Sequence, residues 1–105
     1  MKSLIMAGVI AACTLQSAAA FDPDPAAGEG RFTQNCVSCH GKAGKGVAEF
    51  PALAGRDAEY ITHRLTQYRA KEKVGYDSAV MYSMAGELTD EEISNLAAYI
   101  SSTFK

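Results

Sequence analysis

The stretch Phe32-Thr33-Gln34-Asn35-Cys36-Val37-Ser38-Cys39-His40 decides how the rest of the chain is read. Its last five residues form the pattern C-x-x-C-H, which reads as a site of c-type haem attachment. Two thiols at this spacing on a turn of helix can each add to one vinyl group of the haem. The adjacent imidazole is then held beneath the iron as the proximal ligand. Cys36, Cys39 and His40 are therefore the first candidate site residues. A bare C-x-x-C also suits half of a zinc site, a disulfide or a thioredoxin-like redox pair. A structural zinc site wants four ligands, and the chain has no second cysteine pair beyond its leader. No βαβ pattern surrounds the motif, as a thioredoxin-like pair would require.

A proximal histidine leaves the sixth iron position to be filled. Methionine there gives an electron-transfer haem and raises its potential, whereas an open position binds small ligands. Met81 and Met84 both fall in a stretch predicted to be a loop, and either is a candidate. Core filling is the commonest employment of a methionine. His63 is the other histidine, but it falls away from the apolar face of its predicted helix and reads as solvated.

Upstream of the motif, a short helix is predicted from Ala26 to about Asn35. Phe21-Asp22-Pro23-Asp24-Pro25 is an extended, proline-punctuated lead-in. Residues 1–20 have the build of a secretory signal peptide: Lys2, an uncharged apolar run from Leu4 to Ala12, and small residues at Ala18-Ala19-Ala20. Cleavage near Ala20 predicts a periplasmic, soluble product. Ile10-Ala11-Ala12-Cys13 also resembles a lipoprotein box, which would anchor the chain through Cys13.

Downstream, Gly41 to Gly46 is a loop, and Phe50-Pro51-Ala52-Leu53-Ala54-Gly55 is expected to be a buried irregular segment. A second helix is predicted from about Asp57 to Lys71, with Tyr60, Ile61, Leu65 and Tyr68 on one side. A last helix opens on Thr89-Asp90-Glu91-Glu92, a capping box, with Leu88 and Ile93 placed for a hydrophobic staple. Glu87 to Glu92 is thereby explained as capping rather than as a metal site. Ile93, Leu96, Ala97 and Ile100 follow as one apolar stripe. The fold class is all-α, with three or four short helices.

The formal charge of −2 on 105 residues leaves no basic footprint for nucleic acid. Lys42, Lys45, Arg64, Arg69, Lys71 and Lys73 could form a docking rim or an ordinary charged surface.

Taken together these residues resemble a class I cytochrome c, closest to single-haem domains of the cytochrome c4 and c553 type. Gly28 and Phe32 precede Cys36 by eight and four residues, as that family's first-helix glycine and aromatic do, and Leu96 and Tyr99 match the pair in its last helix. The resemblance covers residues 26–105 and implies a cytochrome c fold around one covalent haem c, its iron bound in place. It also implies that the terminal helices cross at Gly28. Phe50 to Gly55 resembles the c4-type F-P-x-L-x-G segment, which implies that the Pro51 carbonyl orients His40. In such relatives the sixth ligand lies eight residues before the Ser or Thr that opens the last helix. That count selects Met81, with Met84 as the fallback and expected to pack as core.

The function so implied is single-electron transfer between protein redox partners, not catalysis. One alternative is a haem-bearing electron-acceptor subunit of a periplasmic dehydrogenase, such as a flavocytochrome. Another is a ligand-binding haem sensor. Membrane contact is expected only through a redox partner or through lipidation at Cys13.

Overall fold

The computed structural model describes residues 22–105 and, ahead of them, positions 3, 8, 9 and 11. Most of residues 1–20, where a signal peptide is expected, together with the expected cleavage at Ala20 and Cys13, lies outside the described residues. Five helical segments follow in order: α1 (Pro25–Asn35), α2 (Val37–His40), α3 (Ala58–Arg69), α4 (Ala79–Ala85) and α5 (Asp90–Thr103), with no strand among the described residues. The expected three or four helices thus become five, because the C-x-x-C-H motif forms a turn of its own and the methionine stretch is helical.

Helix α1 starts at Pro25, one residue earlier than expected. Proline suits the first helical position, where its missing N–H would be unpaired anyway. Asp24 caps it, its side chain accepting from the Ala26 and Ala27 amides at 3.0 and 3.2 Å. The Asp24 N–H in turn donates to Asn95 Oδ1 of α5 at 2.8 Å. Gly28 is where the two helices meet. A Cβ at Gly28 would run into the Asn95 carbonyl oxygen and lie 2.9 Å from Tyr99 Cβ, so only glycine allows this approach. Phe32, Tyr99 and Phe104 then pack as three tilted rings with centroids 5.2 to 5.6 Å apart.

Both reciprocal bonds of the α5 capping box are present: the Glu92 amide donates to Thr89 Oγ1, and the Thr89 amide to Glu92 Oε1, each at 3.1 Å. Leu88 and Ile93 are both buried, closing the staple, and Ile93, Leu96, Ala97 and Ile100 form the centre of the core. Helix α3 is capped by Asp57, whose carboxylate accepts from the Tyr60 amide at 2.7 Å. Its last turn reaches α5 through Arg69, which donates to the Leu88 carbonyl at 3.1 Å and pairs with Asp90 at 2.7 Å.

The predicted methionine loop is instead α4. Ser78 organises the turn before it, its hydroxyl donating to the Gly75 carbonyl at 2.9 Å and accepting from the Val74 amide at 3.2 Å. The segment Phe50 to Gly55 is irregular as expected, but it is not buried. Leu53 and Ala54 are half-buried against the core, while Phe50, Pro51 and Ala52 are exposed. Its carbonyls and amides are used to fasten a loop, which brings them to the surface of the cleft described next.

Candidate haem-attachment site

Helix α2 carries the motif. The His40 amide donates to the Cys36 carbonyl at 3.0 Å, closing the single turn, and Gly41 ends it at φ +82°. From there the chain doubles back: the Gly46 amide donates to the His40 carbonyl at 2.8 Å, and the Leu53 amide to the Gly44 carbonyl at 2.7 Å. Gly46 has φ +78°, and a Cβ there would collide with the Phe50 carbonyl oxygen. Any side chain at this position would push the loop off the motif.

The loop delivers the Pro51 carbonyl to His40 Nδ1 at 2.8 Å. A carbonyl can only accept, so Nδ1 is the donor, and Nε2 is the nitrogen left for a ligand's role. Among the described residues Nε2 has no hydrogen-bond partner. His40 is buried, and it lines an open cleft together with Cys36, Pro51, Met81 and Met84. Cys39 is half-buried on the same turn, outside that lining, with its Sγ 3.9 Å from Ser38 Oγ. Met81 is half-buried, and Met84 is 46% exposed, both on the cleft wall. His63 is exposed and takes no part.

The remaining walls come from apolar residues of three sources: Leu53 of the loop, Ile61 and Leu65 of α3, and Leu96 and Ile100 of α5. One flank is different. Arg56 and Arg64 both lie over the ring of Tyr60, at 4.6 and 5.2 Å from its centroid, and all three line the cleft. Arg64 Nε donates to the Tyr60 hydroxyl at 3.3 Å, which holds that phenol below its ordinary range. Neither guanidinium has a carboxylate partner among the described residues. This ladder escaped the sequence reading, although Tyr60 and Arg64 stand at the four-residue spacing that aligns side chains on a helix, with Arg56 just ahead of its cap. Of the basic residues considered for a docking rim, Arg64 and Arg69 are engaged within the molecule.

A haem is a flat apolar ring with two carboxylates on one side and an iron that takes nitrogen and sulfur ligands. The cleft offers apolar walls, cations without a carboxylate partner on one flank, an imidazole anchored through Nδ1, and methionine sulfurs. The residues fit the group.

An all-helical fold closed by crossed terminal helices, with C-x-x-C-H opening onto such a cleft, defines a c-type haem protein. The Cytochrome c family model matches residues 25–104, and the chain belongs to that family. It is 42% identical over 80 residues to cytochrome c-554(548) of Halomonas halodenitrificans, covering 75% of this chain and 95% of that protein. It is 37% identical over 70 residues to a thiosulfate dehydrogenase electron acceptor of Stutzerimonas stutzeri, covering 66% of this chain but 32% of that longer protein. Among solved structures it resembles the cytochrome c4 of Acidithiobacillus ferrooxidans with a TM-score of 0.61 and 31% identity, covering 76% of this chain and 51% of that one. The chain is thus a monohaem cytochrome that carries one covalent haem c and transfers electrons with protein redox partners.

Proposed function

We propose that this cytochrome shuttles single electrons in the periplasm through an iron held by His40 and Met81, with Cys36 and Cys39 as the thioether attachments. One observation carries the reading: His40, its Nδ1 tied to the Pro51 carbonyl, lines the same cleft as Met81. When bound, the haem supplies a one-electron couple; the chain supplies everything that keeps that couple reversible. The Pro51 carbonyl fixes the imidazole so that Nε2 stays on the cleft side, and the Nδ1 hydrogen bond makes the ring a stronger donor. Leu53, Ile61, Leu65, Leu96 and Ile100 exclude water. Arg56 and Arg64, on one flank of the cleft, would hold the two propionates. No acid, base or nucleophile is called for, since no bond is made or broken.

Met81 is preferred over Met84 because it is the less exposed of the two and stands eight residues before Thr89. In this reading residues 1–20 direct export, and residues 26–105 make up the cytochrome domain. No described helix is long and apolar enough to cross a membrane.

The test is the visible spectrum of the protein matured with haem, followed in the far-red band of methionine-ligated ferric iron. Met81→Ala abolishes that band while covalent haem survives denaturation, and Met84→Ala retains it. Loss of the band only in Met84→Ala would transfer the ligand role to Met84. Rapid carbon monoxide binding by the ferrous protein would favour a sensor.

A second reading, an electron-accepting subunit bound to a dehydrogenase, is favoured by the resemblance to the thiosulfate dehydrogenase electron acceptor. Comigration with a larger redox enzyme from the native cell would establish it.

A further inference from the structure

Three guanidinium groups line the cleft, and Arg31 differs from the other two. It stands on α1, one helical turn before the motif, and its Nη1 pairs with Glu92 Oε2 at 3.3 Å. Its Nε is buried and has no hydrogen-bond partner, an arrangement that costs energy unless the position serves something else. The side chain borders two spaces at once: the apolar cleft, beside Cys36, and a polar dent between α1 and α5 bordered by Glu92 and Asn95. Glu92 borders only the dent. Its other oxygen, Oε1, accepts the Thr89 amide at 3.1 Å, so the carboxylate is pinned on the far side of Arg31. The ion pair is therefore an oriented dipole with its positive end toward the cleft.

We propose that Arg31, held in place by Glu92, is a potential-setting residue: its charge at the cleft wall favours the reduced haem over the oxidised one and raises the reduction potential. The inference rests on the cleft being the haem site. Reduction adds one electron, and with it negative charge, beside a cation that lines the cleft with its side chain 32% exposed, where the attraction is partly screened yet stronger than in bulk water. No bond forms or breaks at Arg31, and its role is electrostatic alone.

The experiment is a redox titration of the haem-bearing protein at fixed pH and ionic strength, with thermal unfolding measured alongside. Arg31→Leu lowers the midpoint, shifting the reduced-to-oxidised ratio at a given applied potential by roughly three- to tenfold, where tenfold is 59 mV for one electron. Arg31→Lys keeps most of the wild-type value. Glu92→Gln preserves the capping box, because glutamine serves at that position as glutamate does, yet it removes the counter-charge and raises the midpoint. Opposite shifts in Arg31→Leu and Glu92→Gln are the signature of the dipole. No shift in either, or shifts of the same sign tracking lost thermal stability, would reduce Arg31 to a clamp between helices and overturn the proposal. Failure of the underlying haem assignment is read separately, as absence of haem from the denatured chain.

Discussion

Burial pushes the Cys36 thiol up to about 11, with the charge of Arg31 opposing it. Before attachment this sulfur is protonated at neutral pH, and the thiolate, not the thiol, is the nucleophile. In the folded haem-free chain, alkylation of Cys36 is expected to keep accelerating above pH 9.0, the ordinary thiol value, toward about 11. Mass spectrometry of each cysteine after timed exposure to iodoacetamide measures it, and a plateau near 9.0 would mean the thiol is not buried in that state. The folded form holds the proton more tightly than the unfolded one. Stability is therefore intact below pH 9.0 and declines as pH rises through about 11. At this scale the sequence was most readable at His40, Cys36 and Cys39, whose chemistry is local. Arg31 was not readable, because its partner Glu92 is adjacent only after α1 and α5 cross.

Helix α5 is legible because its signals lie within one turn: a threonine, an acid three residues on, and apolar residues flanking both. Replacing Thr89 by alanine removes the acceptor for the Glu92 amide and is expected to cost about 1 kcal/mol in urea unfolding of the haem-bearing protein. Thr89→Ser is expected to be nearly neutral, since the hydroxyl is retained. Helix α4 is the opposite case. Seven residues, Ala79 to Ala85, have no side-chain cap of their own. A helix so short is unstable in isolation and forms because it is packed. Nothing in Ala-Val-Met-Tyr-Ser-Met-Ala announces that packing, and a loop was the natural expectation. The segment Phe50 to Gly55 misled in another way. Its apolar composition suggested burial, but its work is to present a backbone carbonyl to His40, and that requires proximity to the cleft rather than depth.

The whole molecule hangs on the crossing of α1 and α5. Gly28→Ala would force its Cβ onto the Asn95 carbonyl oxygen and Tyr99, separating the helices. Overpacking of this kind costs roughly 1–3 kcal/mol, and more where backbone must move. A lowered urea midpoint for Gly28→Ala measures it, and an unchanged midpoint would show that the crossing has slack. The global fold was readable because this crossing joins two recognisable helices, while the cleft they enclose is a shape that no single segment encodes. The same architecture sets a timetable. Cys36 and Cys39 are made early, whereas the Leu96 and Ile100 side of the cleft is made only with α5. At the 5–20 residues per second of protein synthesis, Cys36 and Cys39 wait roughly 3 to 13 s as part of an unfinished chain. For that interval they are reachable sulfurs with no cleft around them, so attachment chemistry can act on the motif before the fold closes over it.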